Sequence, residues 1–175
     1  MPCGYNILNL KINTVRKGHP NITTERIIKD SFSVIGKEGS TADGAQFVQR
    51  LWEQANSHFG EVAPLAKKNA DDSLAGCWGL MSDFSMSFMP WQNGFSEGRY
   101  LAGIECEDDA QAPDGWTKWT IPGFEYVRIA CEGGDIFREG LAYLETEGLT
   151  LAGAVQDFTD PSTGMSYMCY PIRKL

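Results

Sequence analysis

Apolar and polar side chains alternate with the period of a strand in two parts of the chain, and a helical pattern follows each. Residues 117–132 carry Phe124, Tyr126, Val127 and Ile129 and run into Gly133-Gly134, which predicts a strand closed by a glycine break. Residues 25–39 read the same way and stop at Gly39. After the first strand, Phe47, Val48, Leu51, Trp52, Ala55 and Phe59 recur at three- and four-residue spacing, with Gln49, Arg50, Glu53 and Asn56 between them. This is the apolar stripe of a helix over residues 45–59, with Thr41 or Asp43 as the expected N-cap and Gly60 as the expected stop. After the second, Ile136, Phe137, Leu141 and Leu144 mark a helix over 135–147. Further strands are predicted over 73–83, 98–107, 151–158 and 165–172, the last two around an Asp-Pro-Ser-Thr-Gly turn at 160–164.

The two parts echo each other. Setting 124–133 (FEYVRIACEG) over 30–39 (DSFSVIGKEG) puts Tyr126 on Phe32, Ile129 on Ile35 and a Glu-Gly pair on a Glu-Gly pair. Phe137 and Leu141 then fall on Phe47 and Leu51, Leu-Ala-Gly occurs at 74–76 and again at 151–153, and Tyr100 falls on Tyr167. Weak matches in one order point to a duplication. The expected fold class is α+β: two strand–helix–strand–strand units, residues 24–109 and 115–175, forming an antiparallel sheet with a ligand groove between pseudo-twofold halves. The acidic run at 108–115 (DDAQAPDG) joins them, and residues 1–23 form an arm outside the repeat, with Ile7, Leu10, Ile12 and Val15 as a short strand. Because each helix covers one sheet face, the aromatics on the other must meet water or line a hollow. A concave groove is the simpler outcome.

Composition narrows the function. At 175 residues the chain can hold one sizeable core, and its net charge of −8 opposes nucleic acid and anionic membranes while tolerating cationic ligands. The five cysteines, Cys3, Cys77, Cys106, Cys131 and Cys169, include no close pair, which suits buried thiols in a reducing compartment. With no secretory leader and no bilayer-length apolar run, the expected location is cytoplasmic. His19 and His58 are the only histidines, and neither belongs to a nucleophile or metal motif. No phosphate loop is visible. No catalytic residue, metal or cofactor is therefore expected.

The run Tyr-Leu-Ala-Gly-Ile-Glu at 100–105, the linker ending Pro113-Asp114-Gly115-Trp116, the entry Ile121-Pro122-Gly123-Phe124-Glu125-Tyr126 and the closing Tyr170-Pro171-Ile172 resemble the GyrI-like, AraC-type effector-binding domain family. The likeness spans residues 24–175. It implies a duplicated strand–helix–strand–strand fold and, for many members, an aromatic pocket with a buried carboxylate for lipophilic cations. Freestanding multidrug-binding members exist, one of them carried on an integron gene cassette. Family members often place a Glu four residues before the closing proline, where this chain has Tyr167, so another carboxylate must serve here.

Glu105, between Ile104 and Cys106 in an apolar strand, is the candidate carboxylate, although strand alternation also allows it to face water. Trp78, Trp91, Tyr100, Tyr126, Tyr167 and Phe47 are the candidate walls; each ring face attracts a cation, and each could equally be core, except Trp91, which lies in a loop and could be a lid or a dimer contact. The connection after residue 83 is unusually apolar for a loop, with Met86, Phe88, Met89, Pro90, Trp91 and Phe95. The expected activity is binding of a small hydrophobic cation, with no direct nucleic-acid or membrane partner and with a transcription-regulator partner or a homodimer left open. Two rivals stand beside it. One is a hydrolase of reactive electrophiles at the same pocket, with a Glu and a Tyr hydroxyl handling water; the other is a protein–protein inhibitor using the connection around Trp91.

Overall fold

The expected α+β fold is present. The computed structural model describes residues 22–175, so most of the arm expected over 1–23, with Cys3 and His19, lies outside the described residues. In chain order the elements are β1 (Thr24–Lys29), β2 (Phe32–Ser40), α1 (Phe47–Ser57), β3 (Cys77–Ser82), α2 (Gln92–Phe95), β4 (Arg99–Cys106), β5 (Thr117–Ile121), β6 (Phe124–Ala130), α3 (Ile136–Thr146), β7 (Gln156–Thr159) and β8 (Ser166–Lys174). All eight strands form one antiparallel sheet in the order β1-β6-β8-β7-β3-β4-β2-β5. From its middle outward the sheet reads β3-β4-β2-β5 on one side and β7-β8-β6-β1 on the other. That is the order a pseudo-twofold axis between β3 and β7 requires.

Each copy carries one strand more than the sequence suggested. The strand expected over 25–39 breaks at Asp30-Ser31, and the one over 117–132 breaks at Pro122-Gly123. The reason is exchange. β1 leaves its own copy to pair with β6, and β5 leaves its own to pair with β2. The two crossovers touch: a Cβ on Gly123 would lie 3.2 Å from the Ser31 nitrogen and 3.4 Å from the Asp30 Cα, so only glycine fits without a shift. Two residues carry the chain from β1 at one sheet edge to β2 beside the other. Such a short link spans little distance, so the sheet curls until its edges approach at this corner.

Curling gives the sheet an inner face and a helix-covered outer face. α1 buries Phe47, Val48, Leu51, Trp52 and Ala55, the stripe expected from spacing. It packs with Met81, Tyr100 and Ala102 of the outer face, and α3 packs with Val127, Ile129, Met168 and Tyr170. The helix starts differ from expectation. Ser40 caps a one-turn 3-10 segment, Thr41–Asp43, and Asp43 accepts from the Ser40 nitrogen at 2.7 Å. α1 begins only after Gln46, which has φ 61° and no side-chain cap, and ends at His58, ahead of Gly60. The echo holds in three dimensions for the repeated strands. Phe32 and Tyr126 both join the inner cluster, and Ile35 and Ile129 both join outer ones.

Candidate functional site

β4 sends its odd residues inward and its even residues to the helices. Leu101 packs with the inner cluster, whereas Tyr100, Ala102, Ile104 and Cys106 belong to the outer ones. Glu105 therefore points inward, opposite Val34 of β2, and is only 3% exposed. Trp78 donates its indole N–H to Glu105 Oε2 at 2.9 Å, and Lys29 donates its ammonium to Oε1 at 3.2 Å. The Lys67 ammonium stands farther off at 4.0 Å. Lys29 Nζ also sits 4.5 Å from the centre of the Phe32 ring and 5.5 Å from that of Trp78, within cation–π range. A buried carboxylate needs such partners, because a lone one is costly.

A row of rings leads away from this point. Phe32 lies 4.6 Å from Trp78, Trp78 lies 4.7 Å from Phe158, and Phe158 stacks on Tyr167 at 6.2 Å. Trp78 and Phe158 are register partners on β3 and β7, so the row crosses the pseudo-twofold axis. At its far end the Arg128 guanidinium covers Tyr167 at 4.4 Å and pairs with Glu25 at 2.6 Å. Tyr126, 1% exposed, packs on Phe124 at 5.7 Å. Its hydroxyl has no hydrogen-bond partner among the described residues, and burial pushes the phenol above its ordinary range. A second inward carboxylate, Glu38, accepts from the Trp119 indole at 3.3 Å and pairs with Arg99 at 2.8 Å.

The apolar connection after β3 closes this face. Met86 and Phe88 pack against the inner cluster, Phe88 edge-on to Trp119 at 6.1 Å. Both hold φ 58°, a region that costs a non-glycine residue energy and needs support. Asp83 supplies it. Its carboxylate accepts from the hydroxyls of Ser82, Ser85 and Ser87 and from the backbone nitrogens of Ser87 and Met89. Burial raises its pKa, but these bonds outweigh burial and hold the carboxyl well below its ordinary range. The loop is also tied to the other copy, where the Ala154 nitrogen donates to the Phe88 oxygen at 2.7 Å. With the loop in place, Met86 and Phe88 lie over the rings of the inner cluster.

Of the seven nominated residues, four share this face: Trp78, Glu105, Tyr126 and Tyr167. The other three lie on the helix side. Tyr100 accepts from the Trp52 indole at 3.1 Å and donates to Asp157 at 3.3 Å. A Cβ on Gly79 would lie 1.9 Å from its hydroxyl oxygen, so the glycine makes room for it. Phe47 meets Tyr100 edge-on at 6.5 Å and stacks on Trp91 at 6.2 Å, and Trp91 donates to the Arg99 oxygen at 2.8 Å. Tyr100 and Tyr167 thus point to opposite faces, and the expected equivalence of the two does not hold. The register explains this: Gly103 lies opposite Trp78, so Tyr100, three residues away, must face the other side. Beside Asp157 is a cavity of about 20 Å³, also lined by Trp52, Cys77, Cys131 and Thr159, room for roughly one water. Burial pushes the Asp157 carboxyl up to about 8, against a smaller opposing effect of the Tyr100 hydrogen bond.

Sequence reasoning missed Lys29, Phe32, Phe158, Arg128 and Glu38. Phe32 had a signal, since the echo placed it on Tyr126. Lys29 had none, because its strand pairs with the other copy. Among the described residues, no group of three or more His, Cys, Asp or Glu is placed to hold a metal, and no helix is long and apolar enough to cross a membrane.

No protein-family model and no curated protein matches the sequence. Solved structures do resemble the fold. SAV2435 bound to tetraphenylphosphonium superposes with a TM-score of 0.60 at 16% identity, over 86% of this chain and 94% of that one. The C-terminal domain of EcmrR gives 0.60 at 12% identity, over 89% and 100%. An integron cassette protein from the mobile metagenome of Vibrio cholerae gives 0.49 at 16%, over 88% and 100%. At these identities the likeness concerns architecture alone: the chain shares the fold of SAV2435 and of the EcmrR C-terminal domain.

Proposed function

We propose that this protein binds lipophilic organic cations on the inner face of its sheet, against Trp78, Tyr126, Tyr167 and the Glu105 carboxylate. One observation carries the reading. Glu105 is buried and already holds an ammonium group over two aromatic faces, that of Lys29 over Phe32 and Trp78. This is the chemistry that selects a flat or ring-bearing cation: apolar burial, ring quadrupoles and one fixed negative charge. The tetraphenylphosphonium held by SAV2435 supports the ligand class. Entry requires Met86 and Phe88 to leave the cluster, with the segment from Asp83 to Met89 acting as the cover. Its left-handed backbone at both residues favours it as the moving part.

The test uses two compounds of one shape and opposite charge. Tetraphenylphosphonium should quench tryptophan fluorescence in the micromolar range, because Trp78 lies in the site, whereas tetraphenylborate should not. Equal quenching by both would remove the carboxylate from the account. Quenching by neither would remove the site.

A further inference from the structure

The described residues place three cations around the inner cluster, each paired with a carboxylate: Lys29 with Glu105, Arg99 with Glu38 and Arg128 with Glu25. Only the first pair has a carboxylate as buried as Glu105, whose side chain is 4% exposed, against 21% for Glu38 and 57% for Glu25. Only Lys29 lies over two rings of the cluster. We propose that Lys29 is a tethered internal competitor of the cationic ligand: its ammonium occupies the charge subsite in the empty protein and must leave before a ligand is held there.

The inference rests on the proposed binding site and adds how that site is regulated and what sets its affinity. Lys67 shares Glu105 from the solvent side, at 4.0 Å and 44% exposed, but a ligand cation and Lys29 both seated over the rings would leave a net charge out of water, which is costly. The two states therefore exclude each other. Lys29 is well placed to leave. It is the last residue of β1, directly ahead of the Asp30-Ser31 crossover, and its side chain is 28% exposed. A long flexible stem can carry its ammonium to water. Lys67, at the edge of ion-pair range and 44% exposed, does not reach the rings. The device also sets selectivity. A neutral aromatic compound leaves the Lys29–Glu105 pair intact and gains no charge contact, whereas a cation exchanges one ion pair for another and gains the ring surface that Lys29 covered.

The competitor model makes opposite predictions for two substitutions at one position. Lys29→Met should bind tetraphenylphosphonium at least tenfold more tightly than the unaltered protein. Lys29→Arg, whose planar guanidinium holds a carboxylate with two bonds, should bind it about threefold or more weakly. The gain in Lys29→Met should vanish in the Lys29→Met, Glu105→Gln double variant. Circular dichroism checks that each variant folds, and if Lys29→Met does not fold, Lys29→Arg decides. Binding by the unaltered protein with no gain in Lys29→Met, or no loss in Lys29→Arg, overturns the competitor role and leaves the binding site standing. Binding by none of the proteins overturns both.

Discussion

Replacing Glu105 with Gln is expected to weaken tetraphenylphosphonium binding about tenfold, a loss of roughly 1.4 kcal/mol. A charge-assisted contact is worth about 1.5–3 kcal/mol, so the expected loss falls just below that range. The reason lies in Lys29. Glutamine removes the ligand's anchor and the competitor's anchor together, so part of the penalty cancels. In a Lys29→Met background nothing cancels, and the same substitution should cost nearer a hundredfold. Isothermal titration of the four proteins of this cycle measures both figures. Folding stability should fall as well, by about 1–3 kcal/mol, because the Gln amide can accept from Trp78 but cannot neutralise Lys29. Urea denaturation checks this. Ligand affinity unchanged by Glu105→Gln in both the Lys29 and the Lys29→Met backgrounds would mean that the carboxylate serves packing alone.

The second large effect concerns pH and the other face of the sheet. Asp157 has an ordinary value of 3.8 when unfolded and about 8 in the fold, where burial beside Tyr100, Trp52 and Cys131 disfavours the anion. Between those values the folded chain holds a proton that the unfolded chain has released. Stability is therefore full below about pH 4 as far as this group is concerned, falls as pH rises towards 8, and levels off above it. At roughly 1.4 kcal/mol per unit the whole shift would be worth about 6 kcal/mol. The side chain lines a cavity and is only half-buried, so water reduces this to about 2–3 kcal/mol. Thermal melts from pH 5 to pH 9 should show a midpoint falling by about 5–10 °C. Asp157→Asn should flatten the curve and melt higher at pH 9. Below pH 4 the slope reverses, since Asp83 and Asp160 are held under their ordinary range by hydroxyl and backbone hydrogen bonds. A slope unchanged in Asp157→Asn would show that Asp157 is ionised in the fold at neutral pH.

Periodicity carried most of the architecture. The stripe from Phe47 to Ala55 is the buried face of α1, and Ile136 and Leu144 are buried in α3. The echo between 30–39 and 124–133 identified two copies because repeated strands must repeat their inward and outward sides. What it could not show was exchange. Asp30-Ser31 and Pro122-Gly123 interrupt apolar runs too briefly to register as turns, and the partners of β1 and β5 lie between 81 (Gly36 to Thr117) and 105 (Thr24 to Ile129) residues away. Long-range pairing leaves no local mark. The same limit explains the candidate site. Glu105 could be nominated because its neighbours, Ile104 and Cys106, made the strand apolar. Lys29 could not, since its contact with Glu105 joins the end of an exchanged strand to the middle of another. Tyr100 and Tyr167 misled for a different reason. Matching them required an offset that the register of β3 with β4 and β7 with β8 does not share, and a slip of one residue turns a side chain to the opposite face. The apolar character of the loop after β3 stands out in the sequence, and its cause is visible only in the fold: Met86 and Phe88 pack against the inner cluster.

A crystal structure of the protein with tetraphenylphosphonium tests the central claim most directly. The account predicts the phosphonium on the inner face within about 6 Å of the Trp78 ring, facing the Glu105 carboxylate, with Met86 and Phe88 displaced and the Lys29 ammonium turned out to water. A ligand lodged on the helix side near Tyr100 and Asp157, or on the outer surface with Lys29 still seated on Glu105, would contradict it.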